Sequence, residues 1–170
     1  MFDAPTNRIS PASIAPVVSS QFDLLVVGYG SLLHGDDGVG PWIADLVERL
    51  EWPGVRCRAL TQLTPDLASD LAQAKAVVFV DASIRVSAGH VQVGSLDPGA
   101  PETVDSHRCT PKTLLFLARE LFGHAPRGWM ISVGASVFEL GQPISPAVAH
   151  TQDTVLREVK VLLDWASDED

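Results

Sequence analysis

The chain has 170 residues, 46% of them hydrophobic and 19% charged, a globular composition long enough to bury a core within one domain. Lys and Arg number 12 against 21 Asp and Glu, a net charge of −9, which argues against a nucleic-acid or anionic-lipid grip driven by counterion release. Two cysteines, Cys57 and Cys109, exclude a disulfide scaffold or a zinc site of four thiolates and suit a reducing cytoplasm, and no apolar run approaches the roughly 18 to 20 residues of a membrane span.

Residues 1–21 are rich in Pro, Ser and Ala, with Arg8 as the only basic residue. They lack the basic start and unbroken apolar stretch of a secretory signal and are expected to form a mobile leader. The remainder, 22–170, shows no linker, internal repeat or low-complexity block and reads as one domain. Leu24 to Tyr29 is a short continuous apolar run, as in a strand buried on both faces. Val39, Trp42, Ile43, Leu46, Val47 and Leu50 recur at helical spacing. Val55 to Leu60 alternates like a strand, Thr64 to Ala74 suits a short helix, and Ala76 to Val80 is a second buried strand ending at Asp81.

His90 to Leu96 alternates again; Leu114 to Phe122 is helical with Gly123 as terminator; Trp129 to Val133 is a fifth strand; and Val148 to Leu163 forms the last helix. Thr64-Pro65, Thr110-Pro111 and Ser145-Pro146 share one helix-start grammar. In each, a hydroxyl can cap a free N–H, and proline gives up a donor that had no partner. Strands alternating with helices predict an α/β fold, a layered domain around a mostly parallel sheet. The link 82–88 is too short for a helical crossover, so the fourth strand is expected to run antiparallel.

The first strand leads into Gly28-Tyr29-Gly30-Ser31-Leu32-Leu33-His34-Gly35-Asp36-Asp37-Gly38. A dinucleotide fingerprint would need a third glycine where Leu33 stands, and a pyrophosphate would meet two carboxylates at the helix start. No Gly-Lys-Ser/Thr follows, so a P-loop fails too. Two readings of the carboxylates remain. Both could serve helix capping. Alternatively, consecutive turn residues point apart, so Asp36 holds structure while Asp37 faces outward at the C-terminal sheet edge, where α/β proteins bind ligands.

Gln62, after the second strand, and Asp81 should share that edge. Residues 97–109 can span the sheet, since thirteen residues reach about 40 Å against roughly 20 Å of strand. That path delivers His107 to the mouth holding Asp37. A carboxylate, an amide oxygen and an imidazole there would form a hard-to-borderline metal site. Taken alone, His107 is more often a loop or capping histidine than a ligand, Asp66 reads as a first-turn helix acid, and Asp81 either receives loop N–H groups or acts directly. Cys109, two residues from His107 at a helix start, is poorly placed for a Cys–His pair.

Strand-Gly-x-Gly-x-x-Leu-x-x-Asp-Asp-Gly-x-Gly resembles the N-terminal signature of the NiFe-hydrogenase maturation endopeptidases. Gln62-Leu63-Thr64-Pro65-Asp66-Leu67, Val80-Asp81-Ala82, Ser106-His107-x-x-Thr110-Pro111, Phe138-Glu139-Leu140-Gly141 and Ser145-Pro146 follow in the same order. The resemblance spans about 24–165 and is nearest to members serving soluble, NAD-linked bidirectional hydrogenases. It implies a three-layer α/β/α sandwich around a twisted, mostly parallel five-stranded sheet with one antiparallel strand.

The implied activity is removal of a C-terminal extension from a hydrogenase large-subunit precursor after nickel insertion, by a cytoplasmic monomer. Nickel would be carried by the substrate and contacted by two acids and a histidine. By motif these fall on Asp37 and His107, both also catalytic. The second acid's place, Thr61-Gln62-Leu63, has no carboxylate before Asp66, so Gln62 takes it through its side-chain oxygen, with Asp66 as the alternative. Ser31 stands where the family often has Asn. Metal-assisted and aspartic-type hydrolysis both stay open, as do a non-cleaving nickel-sensing module and an unrelated metallohydrolase using Asp37, Asp81 and His107.

Overall fold

The computed structural model describes residues 22–97, 99 and 109–168. The expected leader 1–21 and His107 lie outside the described residues. Five strands, β1 (Phe22–Tyr29), β2 (Val55–Leu60), β3 (Ala74–Ser83), β4 (Val91–Leu96) and β5 (Arg127–Gly134), form one sheet in the order β2-β1-β3-β5-β4. All neighbours are parallel except β4, which runs antiparallel to β5, as the short link after β3 requires. β3 outlasts its apolar run because Asp81, Ala82 and Ser83 pair with Ser132, Val133 and Gly134 of β5.

The helices are α1 (Val39–Arg49), α2 (Ala68–Leu71), α3 (Pro111–Phe122), α4 (Pro146–Ala149) and α5 (Gln152–Asp168). They cover both faces of the sheet, which is why Leu24 to Val27 of β1 and Ala76 to Val80 of β3 are apolar at every position. Leu24 and Val26 of β1, with Ala76, Val78 and Val80 of β3, pack against Val39, Ile43 and Val47 of α1 and Val155, Val159 and Leu163 of α5. Leu25, Val27, Val77 and Phe79 point the other way, onto Leu71 of α2 and Leu114, Leu115 and Ala118 of α3. Period-two side chains on a central strand thus divide between two cores. Burial of each such Leu, Val or Phe contributes about 1.5–3 kcal/mol.

The glycines of the first loop serve close backbone approach. A Cβ on Gly28 would stand 1.8 Å from the Gly40 carbonyl oxygen, and one on Gly40 would meet the Tyr29 and Val80 carbonyls at 2.5 Å. The start of α1 therefore rests directly on the C-terminal ends of β1 and β3. Two of the three expected caps form: Thr110 Oγ1 accepts from Thr113 N–H at 3.1 Å, and Ser145 Oγ from Val148 N–H at 3.3 Å. Thr64 makes no side-chain cap, because its segment opens as a 3-10 turn, Pro65–Leu67, in which Leu67 N–H bonds the Thr64 carbonyl. The expected last helix is broken into α4 and α5 at Thr151, whose hydroxyl and N–H both return to the Val148 carbonyl. Gly123 ends α3 in the left-handed conformation (φ 75°), with its N–H on the Arg119 carbonyl.

Candidate active site

The chain leaves β1 toward β2 on one side and returns to β3 on the other, so the sheet order reverses between β1 and β3. Ligands of open α/β sheets sit at this point, beyond the carboxyl ends of the strands. A cavity of about 460 Å³ lies there. Its walls are Tyr29 and Gly30 from the end of β1, Asp37 from the turn before α1, Thr61, Gln62 and Leu63 after β2, and Asp81 from β3, with Cys109, Thr110 and Pro111 at the start of α3. A second depression, lined by Leu32, Leu33, Pro41 and Leu60, adjoins it through Gly30 and Thr61.

The two aspartates divide as the outward-facing reading expects, although neither caps a helix through its side chain. Asp36 is wholly buried. Its Oδ2 accepts the N–H groups of Ser136 at 3.1 Å and Val137 at 3.0 Å, and its Oδ1 accepts that of Ser145 at 2.7 Å. Burial alone would raise its pKa, but the donors at Ser145, Ser136 and Val137 outweigh it and hold the carboxyl below its usual range. Asp37 is half-buried in the cavity wall, with Oδ2 accepting the Ser31 N–H at 2.6 Å.

Gly30 makes this turn attainable. Its φ is +134°, and a Cβ there would stand 2.0 Å from the Asp37 carbonyl oxygen. Ser31 Oγ in turn bonds His34 Nδ1 at 2.9 Å and accepts from Leu33 N–H at 3.3 Å, so the serine side chain organises the loop while its backbone holds Asp37.

Gln62 is exposed and lines the cavity with Asp37. Asp66, the alternative, is exposed in the 3-10 turn and is not among the lining residues; its charge reaches Cys109 instead. Burial first, then Asp66, raises the Cys109 thiol, which disfavours the thiolate a Cys–His nucleophile would need. Asp81 does enter the cavity. Burial pushes its carboxyl up to about 6, against the opposing effect of its Tyr29 hydroxyl and Ala82 N–H partners, and the Asp37 charge adds to the rise. Burial, then the Asp81 charge and its acceptance of the phenolic proton, raise Tyr29.

Sequence reading did not single out Tyr29. The available signal was a hydroxyl-bearing aromatic as the last residue of a buried strand, at the edge where ligands bind. Among the described residues no three His, Cys, Asp or Glu side chains gather as a metal cluster. Asp37 and Gln62, the two oxygen-bearing residues of the expected set, line one cavity, and His107 belongs to the segment outside the described residues.

Neither a protein-family model nor a curated protein matches the sequence. Solved structures share its fold. The hydrogenase maturating endopeptidase HybD from E. coli superposes with a TM-score of 0.66 at 20% identity, covering 84% of this chain and 93% of its own. The NiFe hydrogenase maturation protease HycI from Thermococcus kodakarensis KOD1 gives 0.66 at 19% identity, with coverage of 84% and 93%. A hydrogenase 2 maturation peptidase from a Thaumarchaeota archaeon gives 0.61 at 22% identity, with coverage of 82% and 97%. The chain has the fold of these proteins over nearly their full length. No described helix is long and apolar enough to cross a membrane.

Proposed function

We propose that this chain is a peptidase of hydrogenase maturation, removing the C-terminal extension of a NiFe-hydrogenase large-subunit precursor once nickel is in place. The observation that carries the reading is the meeting of Asp37 and Gln62 in one open cavity at the sheet's switch point, within a fold shared with maturation endopeptidases. Cys109 and Thr110, which follow His107 in the chain, line the same cavity and support placing the histidine in the site. Exposed Leu32 and Leu33 beside the cavity suit a polypeptide substrate better than a small polar one.

Hydrolysis of a peptide bond needs an activated water and a stabilised oxyanion. Nickel held by the substrate can polarise the carbonyl or acidify a bound water. The protease then supplies a few weak ligands: Asp37, the Gln62 oxygen and His107. An amide in place of a second carboxylate lowers the negative charge facing the metal and weakens capture of free ions. That suits a protein reading nickel already bound by its substrate, in a soluble NAD-linked bidirectional system and as a cytoplasmic monomer.

The test is incubation with nickel-loaded and nickel-free precursor, followed by intact-mass analysis. Loss of the C-terminal extension from the nickel-loaded form alone supports the reading. Binding without cleavage identifies a docking module, and cleavage that needs only free zinc identifies a metallohydrolase of another kind.

A further inference from the structure

The described residues contain two acids whose environments differ in kind. Asp36 is wholly buried and saturated by three backbone N–H donors, which fits a purely structural anion. Asp81 is half-buried, lines the cavity, and has a phenol and one backbone N–H as partners. An acid placed only to tie a loop down would be expected to resemble the first. We propose that Asp81, oriented by the Tyr29 hydroxyl, is a second reacting carboxyl group of the cavity and delivers the proton that the departing amine requires. This rests on the peptidase reading.

Three observations converge on it. Asp81 stands on β3 and Tyr29 ends β1, so the pair flanks the switch point from adjacent parallel strands. Asp37 and Asp81 line one cavity, so a peptide bound there has two carboxyl groups within the same site. Burial favours the protonated form of Asp81 and the Asp37 charge adds to it, while the Tyr29 hydroxyl and the Ala82 N–H act the other way. Of the other cavity walls, Cys109 carries a thiol held neutral by burial. A partly buried carboxyl group raised to about 6 is the kind of acid that can give up a proton near neutral pH.

The step balances with water as the only co-reactant. The water oxygen adds to the scissile carbonyl carbon while its proton passes to the Asp37 carboxylate. The C–N bond then breaks, its electron pair goes to nitrogen, and nitrogen takes the Asp81 proton. The products are a new C-terminal carboxyl group and a free amine. Proton exchange with solvent returns Asp37 to the anion and Asp81 to the acid. The Tyr29 hydroxyl fixes the Asp81 carboxyl group and does not itself react.

The experiment follows cleavage of nickel-loaded precursor between pH 5 and 9 by wild type, Asp81→Asn and Tyr29→Phe, with precursor affinity and thermal unfolding measured for each. Asp81→Asn is expected to slow cleavage by about a hundredfold or more while precursor binding is kept. Tyr29→Phe is expected to keep cleaving with its alkaline limb moved to higher pH, because a donor to the ionised carboxylate has been lost. A residue with only a structural role would change unfolding and leave that limb in place. Should Asp81→Asn fail to fold, the Tyr29→Phe limb decides: a shift upward supports the assignment, and an unmoved limb overturns it. Wild-type cleavage matched by Asp81→Asn removes Asp81 alone. Wild type that never cleaves removes the peptidase reading and this step with it.

Discussion

The backbone N–H of Ser145 donates to Asp36 Oδ1 at 2.7 Å across 109 residues of chain. The same carboxylate holds Ser136 and Val137, Asp36 N–H returns to the Val137 carbonyl at 2.7 Å, and Gly141 N–H reaches the Leu33 carbonyl at 2.8 Å. The loop before α1 and the loop between β5 and α4 are thereby one rigid unit. Asp37 owes its position to that unit, since its neighbour in sequence is the pin.

Asp36→Ala removes a buried carboxylate that accepts from three backbone N–H donors and should destabilise the fold by about 3 kcal/mol or more. Urea denaturation at pH 7 measures this. The sign of the pH dependence also follows. The folded pKa lies below the unfolded one, so the stabilisation is present above the unfolded value near 4 and fades as pH falls through the folded value. The gap between wild type and Asp36→Ala should therefore narrow in acid.

Gly30→Ala forces a side chain into a φ of +134° and against the Asp37 carbonyl oxygen, 2.0 Å away. Strain of this kind costs about 1–3 kcal/mol. Because the clash falls on Asp37 itself, processing should fall further than the drop in unfolding temperature accounts for. Cleavage rate measured well below the unfolding transition separates the two effects.

Asp81→Asn should raise stability at neutral pH while lowering activity. The folded carboxyl titrates near 6, above its unfolded value of about 4, so between those values the folded state binds more protons and stability declines as pH rises. The asparagine variant has no such decline. Its denaturation midpoint should exceed wild type at pH 7.5 and match it near pH 4.

His107→Ala should abolish processing and leave thermal unfolding nearly unchanged. Processing at the normal rate would take His107 out of the site, leaving Asp37 and Gln62 to recognise the substrate.

The fold was largely legible because its information is local. Runs apolar at every position mark β1 and β3 as buried on both faces, and the short link after β3 dictates an antiparallel β4. The split between Asp36 and Asp37 was legible too, since adjacent turn residues must point apart. What Asp36 binds was not, because its donors lie about a hundred residues away and carry no side-chain signature, being backbone N–H groups. The pairing of Tyr29 with Asp81 depends on β3 lying beside β1, which strand periodicity does not specify. Thr64 missed its cap because its segment opens as a 3-10 turn, which the Thr-Pro pair does not distinguish from an α-helical start.

The central claim is that Asp37, set at the sheet's switch point, works on a polypeptide whose C-terminus is to be removed. Intact-mass spectrometry of nickel-loaded large-subunit precursor, incubated in parallel with wild type and Asp37→Asn, addresses it most directly. The account predicts one new species with wild type, lighter by the C-terminal extension alone, and an unchanged precursor mass with the variant. A precursor left intact by wild type, or shortened equally by both proteins, would contradict it.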